Sequence, residues 1–520
     1  MKNTGNPAKF ACSYHFCNKF FGRFSMGIVF RQSVKSFISI FAGAALGALT
    51  IYLSTLYIPK QELGFRNTLV NLAVAGAQVF LFGTHNLLSV YIHRYGENDQ
   101  RKTALVSMTM ILPVLFFLIG SLIYFPFKEQ IIGLAQPEDQ TLFIRFFNWL
   151  PPFVLLFGYQ MLFETYLISQ HKTAKAHFLR EVLLRILNIV AIIFFGYTII
   201  SYAHLIYATV LFYLIPIGIM LALSLRESSF RIHFAWNVFS REEKKEMVHF
   251  TWYHSLLGIS TTLLGTLDAL MLASLSPHGL RSVAIYNVAV FIVSFLQMPY
   301  RSMLTASFPI LNKVYLSGDQ NELRSIFLRS SMNILIASVA MLLLIVSNLS
   351  NATRILPGGY EGIVPVVLVL LIGRMVDLAT GMNDQLLSIS GFYKYNFYIS
   401  ILLVLLLVVF NRILIPIYDA VGAASAATLA LVIYNILKYA IVRRMLKIQP
   451  FSTKSVLVLL AGTGGLMFGL LLPELSNPYL DVFYRSPIVL IVFVVLLIML
   501  RPSEDFNQYV AEIRKNKRLF

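Results

Sequence analysis

Charged residues are scarce in this sequence: Asp, Glu, Lys and Arg together make up 13% of its 520 residues. Soluble domains contain about 25% charged residues. The chain is instead 57% hydrophobic and has a mean hydropathy of +0.72. This composition excludes an ordinary soluble enzyme, a disordered protein and a nucleic-acid-binding domain.

Cysteine is also scarce, and the signatures of catalytic sites are missing. The two cysteines, Cys12 and Cys17, lie near the N-terminus, with no histidine pair in a zinc-type spacing beside them. The sequence has no GxxxxGK(S/T) phosphate-binding loop, no HExxH metal motif and no GxSxG nucleophile elbow. We therefore predict a protein that is not an enzyme and that holds no metal or cofactor.

Long hydrophobic runs dominate the chain. A helix that spans a bilayer needs about 20 mostly apolar residues, and the sequence contains about fourteen such stretches. The runs are long and continuous, which indicates helices and not strands. In the first run, the GAALG pattern that starts at Gly43 is typical of close helix packing. The stretches are 36–58, 67–92, 104–126, 142–168, 182–200, 203–224, 249–276, 282–307, 326–348, 363–389, 396–411, 420–441, 455–474 and 486–500.

The positive charge follows the predicted topology. The chain carries a formal net charge of +18, from 42 basic and 24 acidic side chains. With the N-terminus inside, the inner segments hold about 29 Lys and Arg and the outer loops about 7, in agreement with the positive-inside rule. This distribution predicts an even number of spans with both termini in the cytoplasm, and it argues against a nucleic-acid partner. No loop is long enough for a soluble catalytic domain.

We predict an all-α polytopic membrane protein with about fourteen transmembrane helices, arranged as two six-helix bundles and two additional helices. A weak internal repeat supports the two bundles: LLSVYIHRYGENDQRK, ending at Lys102, is similar in pattern to TASFPILNKVYLSGDQNELR, ending at Arg324. Its separation of six spans fits bundles related by a pseudo-two-fold axis. The predicted order is a basic cytoplasmic tail (1–35), the first bundle (36–224), a cytoplasmic linker (225–248), the second bundle (249–441), two further helices (442–500) and a basic cytoplasmic tail (501–520).

Four acidic residues lie inside predicted spans. A charged side chain at the centre of a membrane helix costs about 2.5–3.5 kcal/mol on insertion scales, so such residues face a partner or a wet cavity. Arg374 and Asp377 are three residues apart on one helix, and we expect them to pair. Either these groups form an ion-pair and coupling site for a proton or cation, or they are permanent structural pairs and solvated interfacial groups. The four acids are Glu164, Asp268, Asp377 and Asp384.

Arginines inside spans are candidates for binding an anionic group. A guanidinium binds phosphate in a planar bidentate geometry and stays charged when it is desolvated. The alternative for Arg145, Arg185 and Arg301 is that they snorkel to the membrane interface, as we also expect of Arg329 and Lys438. The candidates, which lie at several depths, are Arg145, Arg185, Arg301 and Arg374.

Three stretches resemble the multidrug/oligosaccharidyl-lipid/polysaccharide (MOP) exporter superfamily. They are PYRSMLTASFPILNKVYLSGDQNEL (299–323), LPGGYEG (356–362) with the later SISGFYKYN, and LIPIYDAVGAASAAT (414–428). The third departs from the family pattern at Asp419, where glycine is usual. Within the superfamily the chain most resembles the flippases of O-antigen, capsule and exopolysaccharide synthesis, and the predicted spans extend this resemblance over the whole chain.

The resemblance implies an alternating-access flippase of the bacterial cytoplasmic (inner) membrane. Its substrate would be an undecaprenyl-diphosphate-linked oligosaccharide, moved among the membrane lipids from the cytoplasmic to the periplasmic leaflet. The four arginines would contact the diphosphate and any acidic sugars, and the four acids would form ion pairs or couple transport to a proton or sodium gradient. A polysaccharide polymerase of the same pathway is an expected partner.

Three alternatives stay open. Lipid II flippases of the superfamily also have fourteen helices, but they carry charges in helix one, where this chain has none between Lys35 and Lys60. Cation-coupled multidrug exporters often have an acid in helix seven, as Asp268 would be here, but they have about twelve helices. A polysaccharide polymerase or ligase, which would be an enzyme, typically has a large periplasmic loop, and the outer loops predicted here are short.

Overall fold

The computed structural model describes residues 28–96, 99–227, 230, 236–390, 392–503 and 507. This part of the chain is mostly α-helical and contains no strand. Cys12, Cys17 and most of the two predicted basic tails lie outside the described residues. The fold therefore concerns the hydrophobic body of the protein.

Eleven helices build the first half of the body, which we call the N half. A π-helical segment, Phe178–Leu183, connects α8 to α9. The helices are α1 (Ile28–Tyr57), α2 (Lys60–Leu81), α3 (Thr84–Tyr91), α4 (Gln100–Tyr124), α5 (Lys128–Gly133), α6 (Gln140–Phe146), α7 (Leu150–Ser169), α8 (Thr173–His177), α9 (Leu184–Gly196), α10 (Tyr202–Leu211) and α11 (Leu214–Ser224).

Eight more helices build the C half, and a final pair follows it. The first helix of the C half begins at Arg241, inside the segment predicted as a linker. The final pair, α20 (Thr453–Leu471) and α21 (Pro478–Leu500), packs against α15. The helices of the C half are α12 (Arg241–Leu275), α13 (Leu280–Ser294), α14 (Met298–Ser317), α15 (Gln320–Ser347), α16 (Leu349–Ile355), α17 (Ile363–Ala379), α18 (Asn383–Ile389) and α19 (Tyr393–Leu446).

The protein is a multi-pass membrane protein. In the described chain, eight helices are long and apolar enough to cross a membrane, or up to eleven if each bent pair is one span. All of the predicted stretches overlap helices. The number of helices that pass this test is nevertheless lower than fourteen, because only the short segment Ala42–Tyr57 of α1 enters it, α9 has only 13 residues, and α19 contains two predicted stretches. The number fourteen and the cytoplasmic position of the termini therefore stay predictions.

The long helix α19 folds back on itself at Asp419. This residue has φ 55° and ψ −131°, a conformation that favours glycine. A Cβ atom at Gly422 would clash with the carbonyl oxygen of Leu414, eight residues earlier, whereas a straight helix separates such residues by about 12 Å. Pro416 precedes the turn. The two arms of α19 therefore run in opposite directions, as the two predicted stretches require.

Bends of more than 40° interrupt three of the predicted continuous spans; in one of them, 249–276, α12 bends by 53° between Leu263 and Gly265. The helices α2 and α3 meet at 59°, with Phe82 and Gly83 in the left-handed region, and α17 and α18 meet at 45° beside Gly381, which has φ 66°. Gly83 is required there because an added Cβ would lie 2.7 Å from the carbonyl oxygen of Thr251. Discontinuous helices of this kind line binding sites in secondary transporters.

The loops predicted outside meet at one end of the body, which we call the outer end. There the Asp139 carboxylate accepts a hydrogen bond from the backbone N–H of Leu280 at 2.9 Å, which joins the N half to the C half. Lys60 also crosses between the halves and donates to the carbonyl oxygen of Gly359. We call these contacts the outer seam.

The segments predicted inside meet at the opposite, inner end. Arg94 of the N half pairs with Glu246 of α12 at 2.9 Å, and Arg101 pairs with Glu243 at 3.2 Å. The hydrogen bond from Arg101 lowers the pKa of the Asp99 carboxyl group, which caps α4. These contacts join loops predicted outside to one another and loops predicted inside to one another, whereas the cytoplasmic side stays a prediction.

The apolar core joins the halves toward the outer end and divides toward the inner end. The largest cluster of buried side chains extends from Leu63 in α2 to Leu280 in α13 and Val367 in α17. Near the inner end, one cluster around Tyr91 lies in the N half with part of α12, and another around Phe327 lies in the C half. One described cluster is therefore shared by the halves on the outer side, whereas on the inner side the Tyr91 and Phe327 clusters do not merge, and α12 of the C half packs and ion-pairs with the N half.

Candidate functional site

A polar network crosses the C half between α17 and the second arm of α19. Arg374 Nη1 lies 3.8 Å from Asp377 Oδ2, which confirms the expected pairing on one helix. The Asn435 side chain donates to Asp377 Oδ1 at 3.1 Å and accepts from the Thr380 hydroxyl at 3.0 Å. Asp377 therefore links α17 to α19 through Oδ1, whereas its Oδ2 faces Arg374 on its own helix.

Asp384 extends this network to a buried lysine. Lys438 forms an ion pair with Asp384, and its ammonium lies 3.5 Å from the centroid of the Tyr434 ring. The Lys438 side chain is only 1% exposed, whereas Asp384 is 39% exposed. The prediction that Lys438 snorkels to the interface is wrong, because a carboxylate on the broken α17–α18 segment neutralises its charge inside the protein.

Asp268 occupies a separate pocket of hydrogen-bond donors. This residue is 7% exposed, and its carboxylate accepts from the Tyr286 hydroxyl at 2.9 Å and from the Asn411 amide at 2.7 Å. Arg374 is close enough to act on Asp268 electrostatically. The structure thus brings Asp268, Arg374, Asp377 and Asp384 into one region, and it adds Asn411, which the sequence did not single out.

The five charged groups of this region do not balance. Three carboxylates, those of Asp268, Asp377 and Asp384, face two cations, Arg374 and Lys438. The network therefore has one excess negative charge among its described members. A buried carboxylate needs a cation, a proton or strong hydrogen bonds, so the arrangement can take up a proton or a monovalent cation. Among the described residues, no group of three or more His, Cys, Asp or Glu is placed to hold a metal ion.

Glu164 lies in an ion-pair chain at the inner end of the N half. It is 5% exposed, and Arg180 Nη1 lies 2.6 Å from its Oε1. Arg180 also pairs with Glu181, which in turn pairs with Arg185, each at 2.9 Å. Glu164 is therefore buried and ion-paired, and the alternative of a solvated interfacial residue is wrong.

Arg185 packs against the small-residue face of α1. Its guanidinium donates to the carbonyl oxygen of Gly43, and a Cβ atom at Gly47 would clash with its Nη1. A Cβ atom at Gly43 would likewise lie 2.7 Å from the Cβ of Glu181. The GAALG pattern is confirmed as a packing site, since it accommodates these two charged side chains.

The two remaining arginine candidates are exposed. Arg145 lies near the outer end, 5.3 Å from the Phe146 ring, and it acts electrostatically on Glu62. Arg301 donates to the Gln297 side chain at 3.3 Å. Of the four predicted arginines, Arg374 is the one that the described contacts place in the polar region of the C half.

Sequence reasoning missed Arg66 as an intramembrane charge. The predicted stretch began at residue 67, since KQELGFRN reads as a polar loop. The structure starts α2 at Lys60 and buries Arg66, which is 8% exposed. The one available signal was Pro59, because proline often precedes a helix by one position or opens it.

Comparison with known proteins agrees with this fold. The family model described as polysaccharide biosynthesis protein matches residues 30–315, more than half of the chain. Among curated proteins, no sequence matches the chain. The solved structure of the lipid II flippase MurJ in an inward closed conformation is similar to it, with a TM-score of 0.71 at 15% identity over 90% of this chain and 98% of that one.

Two multidrug-type structures are also similar. An inward-facing MATE family multidrug resistance transporter of the MOP superfamily has a TM-score of 0.61 at 17% identity, over 78% of this chain and 94% of its own. A MOP superfamily transporter from Pyrococcus furiosus has a TM-score of 0.55 at 16% identity, over 80% and 95%. At such identities the likeness shows the fold. The chain therefore belongs to the polysaccharide biosynthesis protein family, and it has the fold of the MOP superfamily transporters.

Proposed function

We propose that the protein is a flippase that moves an undecaprenyl-diphosphate-linked polysaccharide repeat unit from the cytoplasmic to the periplasmic leaflet of a bacterial inner membrane. Family membership supports the link to polysaccharide synthesis. The core supports alternating access, because one large cluster joins the halves on the outer side, whereas the two inner clusters do not merge and the N half meets the C half there through α12. A polymerase of the same pathway would then receive the product.

The length of the shared fold is the observation that favours a lipid-linked substrate. The alignment with the MurJ structure covers 90% of this chain. The alignment with the MATE structure covers only 78% of this chain, although it includes 94% of the MATE chain. The difference is about 60 residues, close to the length of the final helix pair and its connections. The chain thus shares its extended form with a lipid flippase.

Arg374 is the best-placed residue to bind the diphosphate. Its side chain is 34% exposed, and its 3.8 Å separation from Asp377 is longer than a hydrogen bond. The guanidinium makes no hydrogen bond to any residue that the structure describes, so its N–H groups can form a bidentate contact with phosphate. Arg145, Arg185 and Arg301 would meet the substrate at other depths, although Arg185 would first have to leave Glu181.

The excess carboxylate of the C half supports coupling to a proton or sodium gradient. A cation bound near Asp268, Asp377 or Asp384 would neutralise the excess carboxylate. After the cation is released, the carboxylates would attract the Arg374 guanidinium more strongly. Arg374 would then be less available to phosphate. Cation and substrate would in this way act on the same guanidinium. Glu164 would contribute through its pair with Arg180 at the inner end.

The test is a deletion strain complemented with defined variants. Without the gene, the lipid-linked oligosaccharide should accumulate in the cytoplasmic leaflet and surface polysaccharide should disappear. Arg374→Gln should fail to restore surface polysaccharide at normal expression. Arg281→Gln removes the same charge from an exposed position and should restore it. Normal export by Arg374→Gln would contradict the proposed role of Arg374, and accumulation in the periplasmic leaflet would contradict the proposed function.

A lipid II flippase is the second candidate, because the MurJ fold covers nearly the whole chain. Rescue of growth in a strain depleted of its own lipid II flippase would favour this activity. Export of a cationic dye that depends on Asp268 would favour a multidrug exporter instead. Failure of both tests with restored surface polysaccharide is the expected result.

A further inference from the structure

Arg66 is a buried cation in the N half that the transport mechanism above does not use. It lies six residues after the start of α2, about 9 Å along the helix axis from the outer end. The residue is 8% exposed. Its side chain points into the space between α2, α9 and α10, because its partners lie on the latter two helices.

The partners of Arg66 are two neutral oxygens. Arg66 Nε donates to the Thr209 hydroxyl oxygen at 3.0 Å, and Nη2 donates to the Asn188 side-chain oxygen at 2.5 Å. Both oxygens are fixed in place. The Thr209 hydroxyl donates to the carbonyl oxygen of Leu205 at 2.9 Å, and the Asn188 amide donates to that of Leu184 at 2.8 Å. These groups orient the guanidinium but do not neutralise it.

The charge of Arg66 is unbalanced in the described structure. No carboxylate of a described residue lies within 4 Å of it, and Nη1 has no described acceptor. Glu62, one helical turn earlier, forms no ion pair with Arg66, and its Oε2 is buried without a hydrogen-bond partner in the described structure. An arginine stays charged when it is desolvated, and a buried charge without a counter-charge is strongly unfavourable. The site therefore lacks one negative charge.

We propose that Arg66, held in place by Asn188 and Thr209, forms a site for a small monovalent anion of the size of chloride. The anion would accept hydrogen bonds from Nη1, because Nε and Nη2 already donate to Thr209 and Asn188. The phenol groups of Tyr202 and Tyr213 lie near this guanidinium. With Arg66 only 8% exposed, the site is too enclosed for a diphosphate headgroup that carries sugars. The N half thus holds an anion, whereas the C half has an excess carboxylate.

The test is binding of radiolabelled chloride to the purified full-length protein in detergent. The wild-type protein should bind chloride saturably, and bromide should displace it while the larger gluconate ion should not. Arg66→Gln should weaken binding at least about tenfold, since charge-assisted hydrogen bonds are lost. Arg281→Gln, which removes an exposed charge at the same end, should leave binding unchanged.

A second variant covers the case in which Arg66→Gln does not fold. Glu62→Gln removes a negative charge one turn from the site, so it should tighten chloride binding. The proposal is overturned if Glu62→Gln binds chloride no more tightly than the wild type, or if folded Arg66→Gln binds it equally well. Displacement of chloride by undecaprenyl phosphate would also overturn it, because the site would then admit the lipid substrate.

Discussion

The outer seam offers a direct test of alternating access through Asp139. This carboxylate is 3% exposed and accepts the Leu280 N–H, the first residue of α13, at 2.9 Å. Its other oxygen accepts from the Gln61 side chain at 2.7 Å. Gln61 and Asp139 both belong to the N half, so of the two Asp139 hydrogen bonds the one to Leu280 breaks when the halves separate at the outer end. Asp139→Ala should therefore favour the outward-open state.

The expected magnitude follows from that single bond. A hydrogen bond to a charged group contributes about 1.5–3 kcal/mol, and the positive end of the α13 dipole strengthens an interaction with an anion at this position. Each 1.4 kcal/mol changes an equilibrium about tenfold. Water that enters the variant offsets part of the loss. We therefore expect the outward-open population to rise by roughly 10- to 100-fold.

Cysteine accessibility measures this shift. The two native cysteines, Cys12 and Cys17, are replaced by serine, and Ala284→Cys places one thiol on α13, one helical turn after Leu280. Ala284 is fully buried in the core that joins the halves. A membrane-impermeant maleimide should label this thiol slowly in the parent protein and about tenfold faster or more with Asp139→Ala.

Asp319 supplies the matched control for this experiment. Its carboxylate accepts the N–H groups of Asn321 and Glu322, each at 3.0 Å, so it also caps a helix, but within one half. Asp319→Ala should leave the labelling rate unchanged. Equal labelling of folded Asp139→Ala and its parent, or an equal increase with Asp319→Ala, would refute the role of the seam.

Two further predictions concern stability and are checked by thermal unfolding of the purified protein. Asp384→Asn should destabilise the protein more than Lys438→Met. The Asp384→Asn variant leaves the almost fully buried Lys438 ammonium without its partner, a change that typically costs about 3–5 kcal/mol. Equal losses of stability in the two variants would contradict the assignment of Asp384 as the partner of Lys438. Asp419→Gly should be about 1–3 kcal/mol more stable than Asp419→Ala, because both variants lose the hydrogen bonds from Ser276 and Ser282 but only alanine keeps the strained backbone; equal stability would argue against strain at this turn.

Several features of the site could be anticipated because they depend on local spacing. Arg374 and Asp377 pair on one helix, as a three-residue separation predicts. The small residues of GAALG provide close packing, as their pattern predicts. Asp419 occupies a backbone conformation suited to glycine, which is the usual residue at this position in the family pattern.

Partners that are distant in the sequence could not be anticipated. Lys438 and Asp384 are 54 residues apart, and Asp268 and Asn411 are 143 apart. A hydropathy run shows that a helix is apolar on average, but not which neighbour each polar side chain faces. Lys438 was therefore predicted at the interface, although the tertiary structure buries it against a carboxylate.

The sequence by itself determined the class of the protein and its division into apolar segments. These properties follow from the hydropathy and charge of each segment by itself, because each apolar segment is stable in the membrane independently of its neighbours. Only the tertiary structure decided that Arg66 is buried, that the C half has an excess carboxylate and that Asp139 joins the halves. Each of these depends on which helices pack together, and burial of a charge is governed by the groups that the fold brings around it.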